Sequence, residues 1–267
     1  MMNLEKICKE VVDLSQEVGN YLREENARLD HNKIEIKGKN DFVTYVDKES
    51  ERRLVKGLTK IFPEAGFLTE EGTVRQESEK MYRWIIDPLD GTTNYVHQLC
   101  PYSISIALMC EEKVLLGCVY EVTLDEAFYA WENGGAWLNA RPIHVSHQPQ
   151  IEGGIIAYGI PYLLEEKYDY LRRRIPEFYG KATLRHLGSA AAEICYVAAG
   201  RVDAYFHDNL SPWDVAAGAI IVQEAGGRIT DLQNQNNYVF GRELAATNNL
   251  IHNELLNTLI TEKERGK

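Results

Sequence analysis

The sequence predicts a mixed α and β fold whose two halves differ. Three observations carry this. Two amphipathic helical stretches open the chain, a series of short apolar runs separated by turns follows, and strands then alternate with helices to the end. At 267 residues, 45% of them apolar, the chain can bury a sizeable core. No linker, repeat or low-complexity stretch interrupts it, so one domain over 1–267 is expected, with halves of about 1–147 and 148–267.

From residue 4 to about 28, Ile7, Val11, Leu14, Val18 and Leu22 recur with the helical period. Residues 31–40 are polar and contain Gly38, which predicts a loop, and 42–46 predict a short extended or turn segment. Asp47 then precedes a helix whose apolar face carries Leu54, Val55, Leu58, Ile61 and Phe62 and which ends before Pro63. Asp47 reads as its N-cap or as a ligand presented at the helix start. Residues 66–68 predict a strand entering Thr69, Glu70, Glu71 and Gly72.

Trp84, Ile85 and Ile86 predict a buried strand that stops at Asp87-Pro88, because proline fixes φ and donates no hydrogen bond. The runs 103–109, 114–120, 126–131 and 135–138 read as β-hairpins, giving a largely antiparallel sheet covered by the two preceding helices. A further strand is expected at 143–145. In the second half, strands are expected at 154–158, 182–185, 202–207, 228–232 and 244–246. Helices are expected at 163–175, from Gly188, Ser189 and Ala190 to Gly200, from Pro212 to Gly226-Gly227, and at 252–261.

Lys and Arg number 29 against 40 Asp and Glu, a net charge of -11 that repels a nucleic-acid backbone. The five cysteines form no C-x-x-C pair and several sit in apolar runs, so they read as reduced core residues of a cytoplasmic protein. The N-terminus lacks a signal-peptide apolar region, and no 18-residue apolar stretch exists, so no membrane partner is expected.

The chemistry concentrates between Asp87 and Asn94. Asp87 and Asp90 flank Pro88, so both carboxylates can converge on one point. Gly91 permits close backbone approach, and Thr92, Thr93 and Asn94 favour turns and helix starts. Acids followed by free N–H groups suit a divalent cation beside a phosphate. They also suit a capped turn in which each carboxylate bonds only nearby backbone. Glu70, ending the strand before, would crowd Asp87 and Asp90, and crowded carboxylates repel unless a cation sits among them. Asp214 reads as a first-turn acid complementing a helix dipole or as one more ligand.

Glu70-Glu71, the run Asp87-Pro88-Leu89-Asp90-Gly91-Thr92-Thr93-Asn94, and Trp213-Asp214-Val215-Ala216-Ala217-Gly218 leading to Glu224-Ala225-Gly226-Gly227 together resemble the inositol monophosphatase family. The three motifs stand in the right order across almost the whole chain. The resemblance implies a layered αβαβα sandwich, a homodimer, and Li⁺-sensitive hydrolysis of a phosphorylated polyol or sugar with two or three Mg²⁺ per subunit. It implies that Glu70, Asp87 and the Leu89 carbonyl hold one Mg²⁺, and that Asp87, Asp90 and Asp214 hold another. Asp47 and Glu71 would serve a third cation or its water.

By the same resemblance Glu70 and Thr92 activate water, Gly91 and Thr92 offer N–H groups to the phosphate, and Gly188, Ser189 and Ala190 border the alcohol. Where inositol-specific members carry a substrate-binding Glu, this chain has His207, followed by Asp208. A carboxylate accepts two hydroxyl protons, whereas a neutral imidazole accepts one and donates one, which puts inositol in competition with fructose 1,6-bisphosphate and NADP. Relatives acting on 3′-phosphoadenosine nucleotides tend to carry Lys after Asp-Gly-Thr, where this chain has Thr93-Asn94.

Overall fold

A computed structural model describes residues 2–28, 34–38, 41–77, 79–160 and 173–259. Its elements stack as helix, sheet, helix, sheet, helix. The first layer is α1 (Leu4–Asn26) and α2 (Tyr45–Ile61), joined through a hairpin of β1 (Ile34–Gly38) and β2 (Asp41–Thr44). Ile7, Val11, Val18, Leu22, Leu54 and Leu58 line their inward stripes and are buried.

These stripes cover one face of a seven-stranded sheet: β3 (Gly66–Thr69), β4 (Tyr82–Asp90), β5 (Ser103–Cys110), β6 (Lys113–Glu121), β7 (Glu126–Trp131), β8 (Ala136–Leu138) and β9 (Arg141–Pro142), adjacent in that order. Only β3 and β4 run parallel; the other neighbours are antiparallel, which explains the short turns between them. After β4 comes a short helix, α3 (Thr92–Val96).

The other face of this sheet, with Ile85, Ala107, Val119 and Phe128, packs on α4 (Ala190–Ala198) and α5 (Pro212–Glu224). Apart from Glu193 and the ends of α5, these two helices are apolar on every face because sheets enclose them on both sides. The second sheet has the order β11 (Thr183–Arg185), β10 (Ile155–Tyr158), β12 (Ala204–Asp208), β14 (Glu243–Thr247), β13 (Arg228–Thr230). Its outer face is covered by Leu255, Leu256 and Leu259 of α6 (His252–Leu259), which meet Phe178 and Phe206. Three apolar clusters thus fill the four interfaces between five layers, each buried large side chain contributing about 1.5–3 kcal/mol. Among the described residues, no helix is long and apolar enough to cross a membrane.

Several expectations are corrected. Residues 34–38, predicted as loop, form β1 and pair with β2 (Asp41–Thr44), where the extended segment predicted from residue 42 is met. Helix α2 begins at Tyr45, so Asp47 sits in its first turn and does not cap it. Strand β4 does not stop at Pro88 but continues to Asp90 through a β-bulge. Residues 143–145 form no strand: Ile143 N bonds Ala136 O and Val145 N bonds Ala225 O, single bonds to two separate elements. The helix expected at 163–175 falls mostly outside the described residues, and Ile175–Phe178 is a 3-10 turn. Cys8, Cys118 and Cys195 are buried as expected, whereas Cys110 is half-buried and Cys100 exposed.

Candidate active site

Parallel pairing of β3 with β4 sets Thr69 opposite Ile86, so the next residues, Glu70 and Asp87, leave the sheet side by side. Glu70 N donates to Ile86 O at 3.2 Å, and the Glu70 carboxylate adds its charge beside Asp87. Asp87 Oδ1 also accepts from Leu89 N at 2.9 Å. Asp214 arrives from the distant end of the chain, in the first turn of α5, and Ser211 N donates to its Oδ2 at 2.7 Å. The carboxylates of Asp87, Asp90 and Asp214 offer oxygens that lie within 4.8 Å of one another.

Asp90 is gripped from the second half of the chain. Its Oδ2 accepts from Ser189 Oγ at 2.6 Å and from Ala191 N at 2.8 Å, so a carboxylate of β4 satisfies an orphan N–H at the start of α4. The capped-turn alternative is therefore partly realised: Asp87 accepts from nearby Leu89 N, whereas Asp90 accepts from the distant start of α4, and both converge with Asp214. Gly91, at φ +90°, closes this approach: a Cβ there would stand 3.0 Å from Gly188 O and 3.2 Å from Pro101 O.

The crowding has an electrostatic signature. Burial first, then the charges of Glu70, Asp90 and Asp214, push Asp87 well above the usual carboxylate range. Burial raises Asp90 too, against the opposing pull of its hydrogen bonds. Burial and then Asp90 push Asp214 up to about 7. No Lys or Arg is among the described residues lining this cleft. Buried, mutually repelling oxygens without a protein cation meet the donor requirements of a hard divalent metal.

Thr92 Oγ1 lies 3.2 Å from Asp47 Oδ1 and 3.0 Å from Leu89 O, and its single proton serves one of these acceptors at a time. Across the cleft stand Gly188, Ala190, His186, Tyr205, His207 and Asn209. Burial lowers His207 to about 4, so its ring is neutral at pH 7. His207 Nδ1 is bonded to the Asp208 carbonyl, which can only accept, so the proton sits on Nδ1 and Nε2 is left as an acceptor.

Of the residues singled out in the sequence, Glu70, Asp87, Leu89, Asp90, Gly91, Thr92, Gly188, Ala190, His207 and Asp214 line one cleft. Ser189 is buried behind it on Asp90. Asp47 is linked to the cleft through Thr92, and Glu71 does not line it. The sequence reading missed His186, Asn209 and Glu193. Burial pushes Glu193 up to about 8, while its Oε1 accepts from Leu187 N at 2.9 Å and fixes the turn before α4. An acid in the otherwise apolar Ala190–Ala198 segment was the signal for it.

Residues 3–265 match the sequence profile described as the inositol monophosphatase family. The chain is 37% identical over 261 residues to a fructose-1,6-bisphosphatase/inositol-1-monophosphatase of Thermotoga maritima, covering 96% of this chain and 97% of that one. It is 34% identical over 249 residues to the Nus factor SuhB of Pasteurella multocida, covering 92% of each. Among solved structures, the extragenic suppressor protein suhB of Bartonella henselae superposes with a TM-score of 0.89 at 32% identity, over 95% of this chain and 98% of that one.

Proposed function

The chain belongs to the inositol monophosphatase family, a family of phosphatases, and on that premise we propose that its cleft hydrolyses a small phosphate monoester with Mg²⁺. The observation that carries this is the converging trio of buried Asp87 with half-buried Asp90 and Asp214, with Glu70 beside it and no Lys or Arg among the described lining residues. Asp87, Asp90 and Asp214 would hold one cation, and Asp87, Glu70 and the Leu89 carbonyl a second. Bound there, the cations would neutralise phosphoryl charge and acidify water.

The remaining work falls to the protein's own groups. Glu70 accepts the proton of the attacking water, and Thr92 Oγ1, steered by Asp47 and Leu89 O, orients that water. Gly91 and Thr92 present N–H groups to the phosphate. Across the cleft His207 Nε2 accepts from a substrate hydroxyl, which favours a polyol over a second anionic group. Gly188, Ser189 and Ala190 bound the alcohol side. A third cation at Asp47 and Glu71 has weaker support, because Glu71 lies outside the cleft lining.

This reading includes lithium inhibition, a homodimer, one domain across the chain and a cytoplasmic location. The net charge of -11 argues against a nucleic-acid partner. Inositol 1-phosphate is the preferred substrate. The second reading, fructose 1,6-bisphosphate, is favoured by the name of the Thermotoga maritima relative. Turnover with Mg²⁺ on inositol 1-phosphate, fructose 1,6-bisphosphate and NADP tests the choice: inositol 1-phosphate is expected to lead, and a tenfold preference for either rival would overturn it. A catalytically idle scaffold would instead bind no Mn²⁺ in the millimolar range by calorimetry.

A further inference from the structure

Helix α2 buries another acid behind the loop that follows Glu70, and the reaction above does not use it. Glu51 lies one turn beyond Asp47 and shares the inward face with Leu54 and Leu58, so its carboxylate is wholly buried. A buried charge without partners costs several kcal/mol. Glu51 has three donors, all in the loop that follows β3. Its Oε2 accepts from Glu71 N at 2.7 Å, and its Oε1 from Thr73 N at 2.6 Å and Thr73 Oγ1 at 2.7 Å. Gly72 between them has φ +62°, a left-handed conformation that turns the flanking N–H groups towards one acceptor.

We propose that Glu51 is a positioning residue for Glu70, holding its carboxylate against Asp87 by anchoring the peptide that follows it. The inference rests on the phosphatase reading of the cleft. Glu70 N is tied to Ile86 O by the sheet, and Glu71 N is tied to Glu51, so the main chain is fixed on both sides of Glu70. Repulsion from Asp87 works to drive Glu70 outward, and the sheet bond alone restrains only one of its two flanking peptides. The far end of the loop has its own anchor, Gln76 Oε1 on Thr69 N at 2.9 Å, which leaves the Glu51 bonds to set the near end. Because Asp47 lies one turn earlier on the same helix, about 6 Å from Glu51 along its axis, α2 holds both the Thr92 hydroxyl and the peptide after Glu70.

Glu51→Gln tests this. The amide keeps the size of the side chain but turns an NH₂ towards donors that need an acceptor. Mn²⁺ affinity is measured by calorimetry without substrate, and kcat and KM on inositol 1-phosphate at saturating Mg²⁺. Mn²⁺ affinity and kcat are each expected to fall about tenfold while KM stays within twofold, the scale seen when the support of a metal ligand is removed. Thr73→Val removes only the hydroxyl bond and is expected to shift both quantities about threefold in the same direction; it carries the test if the Gln variant does not fold. Mn²⁺ affinity and kcat within twofold of wild type in the folded variants, whatever their thermal stability, would overturn the inference alone. A wild-type chain that binds no Mn²⁺ and cleaves no ester would overturn the phosphatase reading and this inference with it.

Discussion

The acidic cage and the end of β12 both bury carboxylates, and they do so under opposite terms. Asp87, Asp90 and Asp214 hold hydrogen bonds from Leu89 N, Ser189 Oγ, Ala191 N and Ser211 N, and after burial Asp87 and Asp214 are raised further by acids of the same cleft. Asp208 is fully buried, yet neither of its carboxylate oxygens has a hydrogen-bond partner among the described residues. Burial, with Glu243 across the ladder adding to it, pushes Asp208 up to about 7. A cation answers the first kind of strain, and only a proton answers the second. A raised acid is therefore a pointer to metal chemistry when several acids converge on one cleft, and a plain solvation debt when its oxygens lie buried without hydrogen-bond partners.

The largest expected effect separates the two regions outright. Asp87→Asn is expected to lower kcat about a thousandfold, some 4 kcal/mol of transition-state stabilisation, while raising the melting temperature of the metal-free protein because the repulsion is relieved. A variant keeping more than a few per cent of activity would break the contrast. Next comes Asp208→Asn, which should leave turnover near wild type and change stability instead. The sign follows from linkage: a carboxyl raised from 3.8 to about 7 contributes stability that is complete below its unfolded pKa and lost as pH rises towards 7. Between pH 4 and pH 8 wild type should therefore lose about 2–4 kcal/mol more than the variant in denaturant unfolding. Parallel pH profiles would show that Asp208 has a partner after all.

The smallest effect sharpens the cage itself. Ser189→Ala removes one donor from Asp90 Oδ2 and leaves Ala191 N in place. The Mg²⁺ concentration for half-maximal rate should rise about three- to tenfold, with kcat at saturation little changed. An unchanged Mg²⁺ requirement would mean that Ser189 serves α4 and not the acid.

The two halves were legible in the sequence because a stripe marks α1 and α2, hairpin turns mark the first sheet and strands alternate with helices after it, whereas the five-layer order came from the family resemblance. The acids of the cage were legible because strand ends and helix starts expose their side chains to a shared cleft. Glu51 was not, since a charged residue inside a helix is ordinarily solvated. Its place on the stripe with Leu54 and Leu58 was the available clue. Pro88 misled because a proline usually ends a strand, and the tertiary pairing with β5 carried β4 past it.

That passage has a consequence for why the two aspartates stand three residues apart. In a regular strand, residues at odd separation face opposite sides of the sheet. Here Asp87 pairs with Ser105 and Asp90 with Ser103, three steps matched against two. The surplus residue restores parity, so both acids emerge on a common side. It also releases main-chain atoms from ladder duty: Pro88 has no N–H to forfeit, and the Leu89 carbonyl is left spare to meet the Thr92 hydroxyl. A single misfit in the count thus yields two aligned acids and a third oxygen beside them.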